Sequence, residues 1–190
     1  MSAHSVQTLP ARLVGFISQR DSRIMRRVHR WQAPRWLRVS MIVATRGGDG
    51  WLWYGVAVLI LLFGGPEKYA AVVAAGLSSG TGLGAYLIVK KTTRRKRPCA
   101  LEPHCWARLV PPDQYSFPSG HTMTAFALAT SLSFFYPAVA VPLFFGALCI
   151  AVSRIVLGMH SLSDVVAGAL IGLGLALGAH RLVAIAAFMR

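Results

Sequence analysis

Long apolar blocks, separated by short clusters of polar residues, leave this chain few ways to fold. A soluble domain carries about 25% charged residues. This chain of 190 residues carries 14%, against 55% apolar, and cannot cover a soluble surface. The composition excludes a disordered segment, a collagen-like fibre and a disulfide scaffold. The class that fits is all-α: a polytopic membrane helical bundle of about five transmembrane helices, with an N-terminal amphipathic helix in the membrane interface.

Residues 10–31 place Leu13, Phe16, Ile17, Ile24, Val28 and Trp31 on one side of a helical wheel. Arg12, Arg23, Arg26, Arg27 and Arg30 fall mostly on the other side. This predicts a basic helix at a membrane surface, a role compatible with packing on the protein. No secretory signal pattern precedes it. Residues 36–45 are apolar but too short to cross a bilayer, which takes about 20 residues. Gly47, Gly48 and Gly50 then predict a break, dividing the chain into a basic interfacial segment, 1–46, and a membrane-embedded domain, 47–190.

Five spans follow. The first begins at the aromatic group Trp51, Trp53 and Tyr54 and ends at Gly64-Gly65-Pro66. The second runs from Tyr69 to Val89, with Gly76, Gly80 and Gly84 on one face. Such a face admits a neighbouring helix of the same chain, or of a second copy in a homodimer. A polar loop, 90–120, leads to a third span over Thr122–Tyr136. A fourth runs from Pro137 to about Leu157. The fifth starts near Val165 and reaches His180-Arg181, with an apolar tail that extends it.

The net charge is +14, yet the bases flank apolar spans and form no stripe on a soluble module. Anionic lipid at the N-terminal helix is therefore the expected partner, and nucleic acid is not. Cys99, Cys105 and Cys149 have no metal-binding spacing. Cys149 sits in an apolar run. Cys99 and Cys105 share the polar loop and pair as a disulfide only if that loop faces an oxidising compartment.

Counting spans places the 90–121 loop and the 154–164 turn on one membrane face. These segments hold Lys90, Lys91, Arg94, Arg95, Lys96, Arg97, Arg108, His121, Arg154, His160 and Asp164. Taken singly, most have an ordinary reading: Lys90 and Arg97 as interfacial anchors, His121 as a helix-end residue, Asp164 as a helix cap. Arg154 follows an apolar run and needs a counter-ion. Together they form a cationic cluster that lacks partner acids, which implies an anionic ligand rich in oxygens, such as phosphate. Pro118-Ser119-Gly120-His121 opens a helix, where backbone N–H groups, the Ser119 hydroxyl and the bare Gly120 backbone suit an anion. Asp164 lies one helical turn from His160, a spacing that orients an imidazole as a nucleophile. His121 is then placed to protonate a leaving oxygen.

Three motifs carry a family resemblance. Residues 90–98 read KKTTRRKRP, residues 118–121 read PSGH, and residues 153–164 read SRIVLGMHSLSD. In this order and spacing they resemble the type 2 phosphatidic acid phosphatase family, which shares its core with vanadium haloperoxidases. The resemblance covers about 47–180. It implies that Lys90, Arg97 and Arg154 bind phosphoryl oxygens and that Ser119 and Gly120 add hydrogen bonds. It implies that His160 becomes a phosphohistidine, that Asp164 orients it, and that His121 protonates the leaving group and later activates water. It implies no metal or other cofactor, which suits a chain with six acids and no carboxylate cluster for Mg²⁺. Many members have six spans, and here an initial full span is missing.

The implied activity is removal of a terminal phosphate from a lipid phosphate or pyrophosphate in a bacterial cytoplasmic (inner) membrane. Undecaprenyl pyrophosphate is the first expectation. Phosphatidate and phosphatidylglycerophosphate are the alternatives, and a vanadate-dependent haloperoxidase or a non-catalytic lipid-phosphate binder are readings of other classes. The side of the site is open. Nine arginines precede residue 47, and with the loop bases they favour the cytoplasm. The Cys99/Cys105 pair and most bacterial relatives favour the outside.

Overall fold

A computed structural model describes residues 9–31, 33–101 and 113–189. The chain is helical throughout these residues, apart from turns and one isolated bridge between Lys96 and Tyr115. The elements are α1 (Leu9–Arg30), α2 (Arg35–Arg46), α3 (Leu52–Phe63), α4 (Lys68–Thr93), α5 (Pro98–Leu101), α6 (Gly120–Phe135), α7 (Ala140–Val156) and α8 (Leu162–Phe188).

The side chains are distributed inside out. Small residues fill the interior: Ala71, Ala74, Ala125, Ala127, Ala129, Ala147, Ala176 and Ser78 are all fully buried. Large apolar ones point outward, among them Val73, Leu87, Ile88, Phe145, Leu148, Leu170 and Leu177. Helices that pack in lipid do this, because lipid tails solvate leucine as well as a protein core does, whereas small residues let backbones approach. Among the described residues, three helical stretches are long and apolar enough to cross a membrane: Gly65–Thr93, Pro137–Val156 and Leu162–Phe188. The other two expected spans are shorter. α6 has 16 residues, held between Pro118 and Pro137, and α3 has 12.

Where the glycines predicted a break, the chain makes a π-helical turn, Gly47–Trp51, and bends at Gly50, whose φ of 116° suits glycine. α2, α3 and this turn thus form one bent rod, and α2 packs against α7.

α6 is the central helix and packs against α4, α7 and α8. Its closest neighbour is α8: a Cβ at Gly168 would stand 2.6 Å from the Ser119 carbonyl oxygen, and one at Gly172 would collide with that of Met123. The expectation that Gly76, Gly80 and Gly84 of α4 receive a helix of the same chain is corrected. Gly76, Gly80 and Gly84 face open space, and its buried face is Ala71, Ala74, Ala75, Ser78 and Gly82. Alanine and serine were small enough for close packing, so the glycines were free to fall elsewhere.

α1 also differs from a simple two-faced helix. Phe16, Ile17 and Trp31 are exposed, at 56%, 46% and 52%, whereas Asp21, Met25 and His29 are the buried row, four residues apart. The row that meets the protein is thus distinct from the apolar stripe.

Candidate active site

The motif segments meet at one end of the bundle. α4 ends at Arg94, whose left-handed conformation (φ 46°) turns the chain out of the helix. α6 and α8 both start there, joined by a hydrogen bond from the Ser119 N–H to the Asp164 carbonyl (3.0 Å). α7 ends there, and its Arg154 carbonyl accepts from the N–H groups of Met159 and His160 (3.0 and 3.1 Å). His121 and His160 therefore share one membrane face. The opposite end is marked by the Tyr136 hydroxyl donating to the Gly64 carbonyl (2.9 Å).

His160 is 2% exposed. Its Nδ1 lies 2.6 Å from the Ser116 carbonyl oxygen. A carbonyl only accepts, so Nδ1 carries the proton and Nε2 keeps its lone pair. Arg97 Nη1 donates to Nε2 at 3.2 Å and to the Met159 carbonyl at 2.9 Å. Burial pushes the imidazole pKa down to about 4; the Asp164 carboxylate pulls upward, and the Arg154 and Arg97 cations push further down.

Asp164 is fully buried, with one carboxylate oxygen 3.8 Å from His160 Nδ1. That is ion-pair range, beyond a hydrogen bond. Its hydrogen bonds go elsewhere. Oδ2 accepts from the Ser161 N–H and hydroxyl, both at 2.8 Å, and Oδ1 accepts from Arg95 Nη1 at 2.9 Å. Ser161 and Asp164 form a capping box at the start of α8. Capping and proximity to His160 are thus served by one residue.

The cations do have partner acids, contrary to the sequence reading. Asp113 bridges Lys90 and Arg97: it pairs with Lys90 Nζ through Oδ2, and with Arg97 Nη2 through Oδ1 at 2.9 Å. Burial alone would raise the Asp113 pKa; the hydrogen bonds from Lys90 and Arg97 outweigh it and hold the pKa at about 2. The Tyr86 hydroxyl joins both Lys90 and Asp113. Lys90 and Arg97 are 6% and 2% exposed, so these contacts are buried on the cation side.

Arg154 is 4% exposed and donates from Nη1 to Thr45 Oγ1 at 2.5 Å. Its Nε is buried and has no hydrogen-bond partner among the described residues. His121 Nε2 donates to Asp49 Oδ1 (2.7 Å), and the His121 ring rests on Gly48, where a Cβ would come within 2.9 Å of Cδ2. The Ser119 hydroxyl is shared with Thr122 Oγ1 at 2.9 Å. Gly120 accommodates the Tyr86 ring, which a Cβ would approach to 3.0 Å.

All eight predicted site residues lie at this end. Lys90 and Arg97 are linked through Asp113, Arg97 also reaches His160, and Ser119 and Asp164 are joined through the backbone. Tyr86, Asp113, Ser116 and Asp49 were missed, and Arg95 was named in the cationic cluster without a role at the site. Asp113 offered a signal, as one of only six acids placed in a basic loop. Arg108 and Cys105 lie outside the described residues, and with Cys105 the open question of a Cys99–Cys105 disulfide.

A family model described as the PAP2 superfamily matches residues 69–187, well over half of the chain. The chain belongs to the PAP2 superfamily. Among curated PAP2 relatives, decaprenylphosphoryl-5-phosphoribose phosphatase of Mycolicibacterium smegmatis is 34% identical over 54% of this chain and 55% of its own length. Its namesake from Mycobacterium tuberculosis is 30% identical over 71% of this chain and 76% of its own. Among solved structures, LpxE of Aquifex aeolicus aligns with a TM-score of 0.65 and 27% identity, over 84% of this chain and 93% of that one. The PAP2-type phosphatidylglycerolphosphate phosphatase of Bacillus subtilis aligns with a TM-score of 0.66 over 86% of this chain and 84% of that one; at 23% identity it speaks for the fold. The protein is thus a helical membrane enzyme of the PAP2 phosphatase class.

Proposed function

We propose that this PAP2 protein is a metal-independent lipid phosphatase that removes a terminal phosphate from a polyprenyl-linked phosphate or pyrophosphate through a phosphohistidine. In this reading Lys90, Arg97 and Arg154 hold the phosphoryl oxygens, and the Ser119 hydroxyl and Gly120 N–H complete the cradle. The Nε2 lone pair of His160 attacks phosphorus, the P–O bond to the lipid breaks, and its electrons leave on oxygen. His121 protonates that oxygen. Water then attacks the phosphohistidine, His121 takes its proton, and inorganic phosphate departs. Asp164 stabilises the charge that His160 acquires. One observation carries the reading: Arg97 reaches His160 Nε2 at 3.2 Å. A lone pair kept on a buried nitrogen beside a guanidinium is an arrangement for attacking a group that the guanidinium holds. The Arg154 Nε, without a hydrogen-bond partner among the described residues, supports it.

The polyprenyl assignment leans on the mycobacterial relatives, whose names carry a decaprenyl group. Residues 1–46 are read as an interfacial segment bound to anionic lipid, and 47–190 as the embedded phosphatase, in a bacterial inner membrane.

The test is a panel assayed in excess chelator: undecaprenyl pyrophosphate, a polyprenyl-phosphoryl sugar phosphate, phosphatidate, phosphatidylglycerophosphate and a soluble sugar phosphate. The polyprenyl substrates should turn over fastest. His160→Ala should abolish phosphate release from all of them. A requirement for added Mg²⁺, or a preference for phosphatidate, would overturn the corresponding part of the proposal. His121→Ala should slow alkyl phosphates far more than activated aryl phosphates, whose leaving group needs no proton; equal losses would remove it from the acid role.

A further inference from the structure

α1 carries one acidic residue, Asp21, in an otherwise basic helix. That residue points inward and is 4% exposed. Its carboxylate accepts from Arg95 Nη2 at 2.6 Å, from the Ser163 N–H at 3.1 Å and from the Ser163 hydroxyl at 2.5 Å. The same Arg95 donates its other arm, Nη1, to Asp164 at 2.9 Å and to Ser163 Oγ at 2.6 Å. Every partner of Asp21 therefore touches Asp164 or precedes it in the first turn of α8.

We propose that Asp21 is a positioning residue: acting through Arg95 and Ser163, it holds Asp164 in the place that His160 requires. The inference rests on the reading of His160 as the nucleophile. Arg95 is a guanidinium shared between two carboxylates, one from α1 and one from α8. Its side chain is 27% exposed, whereas those of Asp21 and Asp164 are 6% and 0% exposed. Without Asp21, one arm of Arg95 loses its anchor and the side chain is free to turn toward water. Asp164 then loses the partner of Oδ1, and the Ser163 N–H at the start of α8 loses its acceptor. A helix on the membrane surface thus completes the surroundings of a catalytic carboxylate that lies more than a hundred residues further along the chain.

The experiment compares the full-length wild type with Asp21→Asn, Asp21→Glu and His160→Ala on a soluble aryl phosphate. Vanadate binding at saturation counts the intact sites. Asp21→Asn should lower kcat roughly tenfold, the order seen when an outer partner of a catalytic ligand is lost. KM should stay within about twofold and vanadate stoichiometry at one per chain, and Asp21→Glu should recover at least half of kcat. A fall in kcat matched by a fall in stoichiometry would show a merely structural role and overturn the inference. Wild-type kcat in Asp21→Asn, with His160→Ala dead, would overturn it and leave the nucleophile reading intact. Turnover surviving in His160→Ala would sink both.

Discussion

Lys90 and Arg97 share a single carboxylate, Asp113, which is itself 31% exposed at the side chain. In the proposed reading a phosphoryl group presents a pair of oxygens with more charge, so ligand entry would exchange one anion for another on the same two cations. Asp113→Asn removes the competing charge without changing the shape. Inhibition by vanadate should tighten by roughly fivefold, the factor that about 1 kcal/mol from an ion pair exposed only on its acid side supports. An unchanged or weaker inhibition constant would mean that Asp113 organises the two cations and does not compete for them. His160 makes a second prediction. Its folded pKa of about 4 lies below the ordinary value of 6.5, so the unfolded chain binds the extra proton first. The neutral ring therefore contributes stability that is present above pH 6.5 and is lost as pH falls through 4. The thermal midpoint of the wild type should drop over that window more than that of His160→Asn; parallel curves would refute it. The Asp113 contribution is lost lower, as pH falls from its ordinary 3.8 through about 2. The predicted site residues were legible because three motifs preserve their internal spacing. The acids that pair with them were not: Asp113 stands 23 positions from Lys90, Asp49 stands 72 from His121, and Asp21 stands 74 from Arg95. Only the tertiary fold brings such residues together, and no local pattern encodes it.

Among the elements, α6 and α8 do most to set the site, because their N-termini carry Ser119, His121 and Asp164. Their separation is fixed by two glycines on α8, which let the helix backbones touch. Gly172→Ala drives a Cβ into the Met123 carbonyl. Overpacking of this kind costs about 1–3 kcal/mol. It should also lower kcat, because the strain is relieved by parting the helix starts that hold Ser119 and Asp164. Gly174→Ala, two residues on, meets nothing within 4 Å and should be neutral or slightly stabilising. Equal behaviour of the two variants, read by thermal midpoint in detergent, would remove the close approach as the reason for Gly172. The breaks were legible, since proline and glycine clusters are local, whereas of the five expected spans three are long and apolar enough to cross a membrane among the described residues. The sequence misassigned the packing face of α4, because a glycine row and an alanine row look equally smooth until a neighbour chooses one.

For the molecule as a whole, charge and chemistry share one end. α1 is tied to that end by Asp21, which pairs with Arg95 of the basic loop. In the proposed reading the bases near that end draw anionic lipid toward the site. The far end holds the turns at 64–67 and 136–139, in contact through Tyr136 and Gly64. α4 has 26 residues, about 39 Å at 1.5 Å per residue, long enough for a hydrocarbon core of about 30 Å. The short α6 meets the same two ends, although its 16 residues reach only about 24 Å. Because it is enclosed by α4, α7 and α8, its ends need not reach the lipid headgroups on their own. The arrangement makes a topological prediction that is independent of catalysis. In a background without native cysteines, Glu67→Cys and Ala138→Cys should react with an impermeant maleimide from one side of the membrane. Thr92→Cys, beside the site, should react only from the other. All three residues are exposed, so access is decided by the bilayer and not by packing. Labelling of Thr92→Cys from the same side as the other two would mean that α4 does not cross, and that the two ends of the bundle lie in one leaflet.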